Sequence, residues 1–446
     1  MSRFLFAVWP LSGHLHPNLA VALALRQRGH EVAFYSGERA RGLLDREGID
    51  LYPFQKLDEA ATMDFIAQIG GAALALPGPW ERKRLFRQWL VDSIPGQVSD
   101  LDRVVREWRP DVIVCDPAMW GSFLIVSELR NILVGILSYV AACLLPGPEG
   151  PVLGWSIPRP RTPLGWGIAS VARAAFSVLS SDIPRAANRM RQSYGLPKLR
   201  MSVNEYAGTL PLYLMPSSPE FDYNRRDLPP SVWYVGPCVW DHPSAEPPPK
   251  WLADIPIDRP LVYVTEGTFQ LHEPFLIRAA IQGLADSATQ VVATTGRDRD
   301  PSQIGLDPFP PNVRVERFVP LSLLFAKARV VVTTGGSGTV TAALCAGIPL
   351  VVVPTAWDQP ENAWRISDSG AGIRLSVGDC TPVRIRDAVQ KVLSDPNYRH
   401  NARRLGESLS RRGGALEAAL ALETLFRPPR NLENRSTFRK DVEETA

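Results

Sequence analysis

The stretch Val330–Ile366 reads VVVTTGGSGTVTAALCAGIPLVVVPTAWDQPENAWRI and decides the class of the fold. Its first residues predict a buried strand that runs directly into the loop TGGSGT at 334–339, with a helix beginning near Val340. Glycines let a backbone approach a ligand closely. The unpaired amides of a helix N-terminus attract anions, so phosphate is the expected occupant of this loop. A tight strand-to-helix turn without a ligand is the alternative.

Both halves of the chain repeat this alternation of buried strands and helices. The N-terminal half opens with a strand in RFLFAVWP (3–10), a helix that ends at Gly29, and a second strand in EVAFYS (31–36). The alternation restarts at LVYVTEGT (261–268), after a proline-rich stretch without periodicity. We therefore predict an α/β protein made of two doubly wound, Rossmann-like parallel-sheet domains.

The predicted boundaries follow from this restart. An N-terminal domain covers residues 1–237 and an interdomain linker covers 238–258. The C-terminal domain covers 259–427, and a polar tail that we expect to fray covers 428–446.

Composition and charge exclude several classes of protein. The chain has 446 residues, and its 49 Lys and Arg against 46 Asp and Glu give a net charge of +3. This small net charge does not indicate a nucleic-acid-binding protein, which would carry an excess of positive charge. Hydrophobic residues make up 45%, which excludes disorder over the whole length. The five cysteines are scattered, so neither a disulfide framework nor a zinc site is expected. Without an export signal or an apolar run of about 20 residues, we expect a cytoplasmic protein.

One segment of the sequence is compatible with contact to a lipid. Apolar residues recur at helical spacing from about 166 to 181, including Ile168, Phe176 and Leu179, and arginines follow. We favour a surface helix that packs this apolar side on the domain. Contact with a membrane or a lipid acceptor is the alternative that we do not favour.

Two other enzyme classes use a similar strand, loop and helix. A dinucleotide site, G-x-G-x-x-G, would place Asp358 after the next strand, but Thr341 stands at its third glycine. A hydrolase elbow, G-x-S-x-G, would use Ser337 as nucleophile, but Thr339 stands at its last glycine. A third interpretation is a loop that binds a nucleotide diphosphate and faces a second domain. Unlike the hydrolase interpretation, it gives the N-terminal half of the chain a role.

The motifs together resemble the family 1, UDP-glycosyltransferase-like glycosyltransferases, and in particular the bacterial natural-product enzymes of this family. The C-terminal match consists of FVPL (318–321), TTGGSGTVTAAL (333–344), GIP (347–349) and PTAWDQPENA (354–363). The N-terminal match is WPLSGHLHPNLAVALALRQRGHEVAF (9–34). The resemblance implies the GT-B fold, in which two such domains face a central cleft and the last helices cross back to the first domain.

The resemblance also implies a catalytic pair. The general base maps to His14, after the first strand, and its assisting carboxylate maps to Asp116, after the strand DVIVCD. Imidazole suits this task because histidine as a residue type exchanges protons near neutral pH. The carboxylate would orient the ring and stabilise the imidazolium. A structural histidine and a helix-capping aspartate are the alternatives.

The donor site follows from the same resemblance. Phe318 would stack on the base, Val319 would offer backbone groups to the edge of the base, and Asp358 and Gln359 would bind sugar hydroxyls. The other expected donor contacts are Gly13, Thr268, Thr334, Gly335, Gly336, Ser337, Gly338 and Thr339.

No metal or cofactor is expected, because the loop amides and the helix dipole would stabilise the leaving diphosphate. Asp298-Arg299-Asp300 matches the D-x-D string of metal-dependent transferases, but it lies in a polar loop and we interpret it as chance. His14 and His16 form an H-x-H pair without a visible third ligand.

Departures from the family pattern bear on the donor. The family's cradle histidine is Thr334 here, its ribose-binding glutamate is Ala342, and Leu321 replaces a glutamine. Loss of the glutamate favours a dTDP-sugar over a UDP-sugar, because deoxyribose has fewer hydroxyls to bind. The same departures keep open a non-catalytic, glycosyltransferase-like helper protein. The dinucleotide interpretation of the loop leaves an NAD-type oxidoreductase as a less favoured alternative.

The predicted function is therefore an inverting, metal-independent glycosyl transfer. A sugar would move from a dTDP- or UDP-sugar to a hydroxyl of a small, hydrophobic acceptor in the interdomain cleft. Trp9 and Trp120 are the expected acceptor contacts, because they are apolar and follow strands of the first domain.

Overall fold

A computed structural model of the chain contains two parallel β-sheets, one in each half. It describes residues 1–75, 79–139, 144–150, 159–240, 248–256, 258–267, 273–296 and 299–426. The strands of the first sheet are β1 (Arg3–Ala7), β2 (Glu31–Ser36), β3 (Asp50–Pro53), β4 (Val112–Cys115), β5 (Leu133–Leu137), β6 (Leu212–Met215) and β7 (Val232–Tyr234). Their spatial order is β3-β2-β1-β4-β5-β6-β7.

The second sheet repeats this arrangement with six strands. They are β8 (Leu261–Thr265), β9 (Gln290–Thr294), β10 (Val313–Glu316), β11 (Ala328–Thr333), β12 (Leu350–Val352) and β13 (Gly372–Arg374). Their spatial order is β10-β9-β8-β11-β12-β13, and neighbouring strands are parallel.

Helices connect the strands in both halves. The first half contains α1 (Ser12–Gln27), α2 (Arg41–Arg46), α3 (Glu59–Ala75), α4 (Pro79–Arg87), α5 (Ile94–Trp108), α6 (Ser127–Arg130), α7 (Pro163–Leu179), α8 (Asp182–Ser193) and α9 (Val203–Thr209). The second contains α10 (Phe275–Leu284), α11 (Leu321–Phe325), α12 (Ser337–Cys345), α13 (Gln359–Asp368), α14 (Pro382–Ser394), α15 (Pro396–Ser410) and α16 (Ala415–Glu423).

The strands are continuously apolar because helices cover both faces of each sheet. Alternate residues of a strand point to opposite faces, so Leu5 joins the core that includes Leu101 of α5. Phe6, the next residue of β1, joins the core that includes Leu19 of α1.

The strand order determines where a ligand can bind. The chain runs from β1 outward to β3 and then returns to place β4 on the other side of β1. The loops after β1 and β4 therefore diverge and leave a crevice at the carboxyl edge of the sheet. β8 and β11 form the same crevice in the second sheet.

Contacts away from this edge also join the halves. α16 returns to the first half, where Ala418 packs into the core beneath α1 and Glu423 pairs with Arg28 at 2.6 Å. In addition, Arg365 of α13 pairs with Asp222 at 2.6 Å, and both side chains are fully buried.

The helix α7 differs from the sequence expectation. Ala169 and Ala172 are its buried residues, whereas Ile168, Phe176 and Leu179 are exposed. The prediction that the large apolar side packs on the domain is wrong, because the helix rests on its alanines. Within the described residues, no helix is long and apolar enough to cross a membrane.

Candidate active site

Three adjacent strands of the first sheet end at the same cluster of side chains. His14 lies in the first turn of α1, after β1; Asp116 follows β4; and Tyr139 lies two residues after β5. Because β1, β4 and β5 are parallel neighbours, their carboxyl ends bring the three residues together.

The geometry of this cluster is that of an oriented base. His14 Nδ1 lies 2.5 Å from Oδ2 of Asp116, whose Oδ1 accepts a hydrogen bond from the Ala118 amide at 2.8 Å. The ring of Tyr139 stacks on the imidazole, with ring centroids 3.6 Å apart. His14 is 8% exposed and Asp116 is fully buried. Since Nδ1 faces the carboxylate and Tyr139 covers one ring face, Nε2 is the nitrogen left to meet a substrate.

The second sheet builds an anion cradle at its own carboxyl edge. β11 ends at Thr333, Gly335 adopts a φ of 95° that favours glycine, and α12 begins at Ser337. In the first turn of α12, the amides of Gly338 and Thr339 have no intrahelical acceptor. These amides and the helix dipole can bind a negatively charged oxygen.

Three predicted glycines border open space. A Cβ atom placed on Gly13, Gly336 or Gly338 would meet no atom within 4 Å. Packing within the protein therefore does not require glycine at these positions. Close approach of a ligand to the backbone would require it.

Asp358 accepts hydrogen bonds from the residue that begins α12 and from Asn362. Its Oδ2 accepts hydrogen bonds from the amide of Ser337 at 2.9 Å, from the Ser337 hydroxyl at 2.6 Å and from Asn362 at 2.8 Å. Its neighbour Gln359 accepts the Thr355 amide at 2.8 Å through Oε1. Oδ1 of Asp358 and Nε2 of Gln359 make no hydrogen bond among the described residues, so these atoms remain for the predicted sugar contacts.

Thr334 has a different role from the predicted one. Its hydroxyl is buried and donates a hydrogen bond to the carbonyl of Glu266 at 3.1 Å. The single hydroxyl proton is therefore already used, which corrects the expectation that Thr334 donates to a phosphate. Glu266 pairs with Arg299 at 3.0 Å; burial raises the pKa of Glu266 above its usual value, although Arg299 opposes this shift.

Trp9 and Trp120 are core residues. Trp9 is fully buried, edge-on to Phe54 with ring centroids 5.7 Å apart, and Trp120 is 5% exposed. Neither offers a surface to an acceptor, which corrects the prediction of acceptor contacts. Apolar character and a position after a strand do not distinguish a cleft from the core beneath it.

The remaining predicted residues vary in their surroundings. Phe318 is 50% exposed, as a residue that stacks on a base must be, whereas the side chain of Val319 is buried. Thr268 lies outside the described residues. So does Asp298 of the D-x-D string, while Asp300 caps a turn and pairs with Arg317. Among the described residues, no group of three His, Cys, Asp or Glu side chains is placed to hold a metal ion.

The sequence analysis missed an aromatic contact between the two halves. Trp357 precedes Asp358 and has a φ of 61°, an uncommon conformation for a bulky residue. Its ring lies 5.6 Å from that of Trp89 and 6.1 Å from that of Phe86, both in the first half. The loop between β12 and α13, which carries Trp357, therefore abuts the domain that carries His14.

Comparison with known proteins identifies the family. Residues 280–425 match the model of the erythromycin biosynthesis protein CIII-like C-terminal domain. The chain is 33% identical over 432 residues to 4'-demethylrebeccamycin synthase of Lentzea aerocolonigenes, covering 95% of this chain and 99% of that protein. The chain belongs to the natural-product glycosyltransferases. This glycosyltransferase is also 26% identical to demethyllactenocin mycarosyltransferase of Streptomyces fradiae, over 96% of this chain and 87% of that protein.

Solved structures confirm the fold. The glycosyltransferase of kitacinnamycin matches with a TM-score of 0.72 at 22% identity, over 95% of this chain and 99% of that one. The spinosyn rhamnosyltransferase SpnG, complexed with thymidine diphosphate, matches with a TM-score of 0.68 at 19% identity, over 95% and 100%. The predicted GT-B fold is therefore confirmed. The sequence relatives confirm the predicted glycosyltransferase activity, so the oxidoreductase alternative is wrong.

Proposed function

We propose that this glycosyltransferase acts with inversion and without a metal, and that His14 is its general base. The observation that carries the proposal is the contact of His14 Nδ1 with buried Asp116, which leaves Nε2 facing the substrate side. Nε2 removes the proton of an acceptor hydroxyl, and the oxygen attacks the anomeric carbon opposite the nucleotide. The bond from that carbon to the diphosphate breaks, and Asp116 stabilises the imidazolium.

The donor binds at the C-terminal sheet in this proposal. The first-turn amides at Gly338 and Thr339 receive the charge that develops on the leaving diphosphate, and Phe318 stacks on the base. Thymidine diphosphate is bound by a structural neighbour, SpnG, and Ala342 supplies no carboxylate for a ribose hydroxyl. Both observations favour a dTDP-sugar over a UDP-sugar.

The acceptor is a small hydrophobic molecule held by the N-terminal domain. Where the loop that carries Trp357 meets the first half, the partly buried rings of Phe86 and Trp357, with centroids 6.1 Å apart, form an apolar wall. This apolar wall, rather than Trp9 or Trp120 themselves, supports the choice of acceptor class.

Donor binding is tested by thermal unfolding with TDP, UDP, GDP and NAD, each with and without EDTA. A ligand that binds the native state raises the melting temperature. We expect the largest shift with TDP, unchanged by EDTA, and an inverted anomeric configuration in the product of the matching sugar donor. A shift that EDTA abolishes would contradict metal independence, and a retained configuration would contradict the single displacement.

A further inference from the structure

A pocket lies at the amino ends of the strands of the C-terminal sheet, whereas the donor cradle lies at their carboxyl ends. Pro260, directly before β8, Arg329, at the start of β11, and Pro349, directly before β12, form one side of it. The end of α14 and the first turns of α15 form the other side, and the pocket, which is open to solvent, has a volume of about 610 Å³. The cradle lies at the carboxyl ends of the same strands, so the length of the sheet separates the two sites.

The pocket is lined by unpaired positive charge. Arg329, Arg399 and Arg403 line it together with His400, and none of the three arginines forms an ion pair or hydrogen bond with a described residue. Asp395 is the acidic residue of the lining, but its Oδ1 caps α15 by accepting the Asn397 amide at 3.0 Å. The guanidinium groups are therefore not neutralised within the described part of the chain.

These arginines are held close to one another. Arg399 and Arg403 lie one turn apart on the same face of α15, an arrangement in which like charges repel. Burial lowers the pKa of Arg399, and the charges of Arg329 and Arg403 lower it further. Nε of Arg399 is shielded from solvent without a hydrogen-bond partner. The side chain of Arg403 is packed over Gly347, where a Cβ atom would lie 2.6 Å from its Cγ.

We propose that this pocket binds a small organic phosphate ester at a site separate from the donor cradle. A planar guanidinium group can donate two parallel hydrogen bonds to two oxygens of one phosphate. The negative charge of a phosphate between Arg399 and Arg403 would also offset the repulsion between these two cations. The volume exceeds that of an inorganic phosphate and lies in the range of small-molecule sites, about 300–1,000 Å³. The apolar walls, which include Pro349, Val392 and Leu393, take the organic part of the ester.

The test is calorimetric titration of the full chain with phenyl phosphate, using inorganic phosphate and matched chloride as references. The test variant combines Arg399→Gln and Arg403→Gln. The matched control combines Arg404→Gln and Arg411→Gln, two exposed arginines near the same helix that do not line the pocket. We expect the wild type and the control to bind phenyl phosphate more tightly than phosphate, and the test variant to bind it at least tenfold more weakly.

Two further measurements make the result decisive. TDP affinity must be the same in all three proteins, which shows that the fold and the donor cradle are intact. Equal phenyl phosphate affinity in the wild type and the test variant would overturn the proposal. Vesicles of phosphatidylglycerol separate the source of the phosphate: arginine-dependent binding to vesicles without binding of phenyl phosphate would also overturn it, in favour of a lipid headgroup.

Discussion

Among single residues, Asp116 has the most specific structural role, because it is buried and contacts one nitrogen of His14. Asp116→Asn keeps the shape of the side chain but removes the charge that stabilises an imidazolium. We expect kcat to fall about a thousandfold, with unchanged TDP affinity. Steady-state kinetics and a TDP titration check this, and a loss of less than about tenfold would show that the carboxylate serves packing alone.

Tyr139 is expected to position the imidazole through its stacked ring. Tyr139→Phe keeps the ring, so kcat should stay within about twofold of the wild type. Tyr139→Leu removes the ring face, and the resulting freedom of His14 should lower kcat about tenfold at an unchanged KM for the donor. If the Phe and Leu variants lose activity equally, the hydroxyl rather than the ring is the important group.

The sequence predicted the site residues that belong to short motifs. It missed the residues whose position in the site is determined by tertiary packing. His14 and Asp116 were paired by the family resemblance, and the structure places them after β1 and β4, which are neighbours in the sheet. Tyr139 and Trp357 contact their partners only through tertiary packing, without a periodic or motif signal. The errors at Trp9 and Thr334 have the same cause, because burial decides which side chains reach the cleft.

For the elements, the N-terminus of α12 offers a test that separates ligand binding from stability. A Cβ at Gly338 meets open space, whereas a Cβ at Gly335, where φ is 95°, would lie 2.6 Å from Val352. Gly338→Ala should therefore leave the melting temperature unchanged or slightly raised, and weaken TDP binding about tenfold or more, by blocking close approach.

Gly335→Ala is the matched comparison and should lower the melting temperature itself, because alanine is strained at that φ. Thermal unfolding and TDP titration of both variants decide the matter. Undiminished TDP affinity in Gly338→Ala would place the diphosphate elsewhere.

The strands were predicted well and the helix ends less well. Continuous apolar runs such as VIVC and VVVT specify buried strands, and each lies where the sequence predicted it. The helix α12 begins at Ser337 rather than near Val340, since three residues assigned to the loop already form its first turn. Periodicity predicted the helix α7 but not which of its faces is buried. Both the alanine face and the face with large side chains are apolar, so the pattern does not distinguish them.

At the scale of the whole molecule, the buried pair of Arg365 and Asp222 joins the two halves. Asp222 also accepts a hydrogen bond from the Tyr234 hydroxyl at 2.7 Å. Arg365→Met removes this cation from the buried carboxylate, so we expect the free energy of unfolding to fall by about 3–5 kcal/mol. Urea unfolding measures this loss.

Arg41→Gln is the matched control, because Arg41 pairs with Glu38 on the exposed surface. That change should leave the free energy of unfolding nearly unchanged, because solvent screens an exposed ion pair. A similar small effect of Arg365→Met would mean that the halves are held together mainly by α16 and the aromatic contact at Trp357.

The two halves form one catalyst only if a base in the first deprotonates an acceptor that attacks a donor bound in the second. The most direct measurement compares sugar transfer by His14→Ala with transfer by His16→Ala, a histidine of the same helix whose ring packs against Trp240. We predict that His14→Ala loses at least about a hundredfold in kcat while its TDP affinity stays that of the wild type, and that His16→Ala retains activity. Wild-type transfer by His14→Ala, with TDP bound, would contradict the assignment of the base.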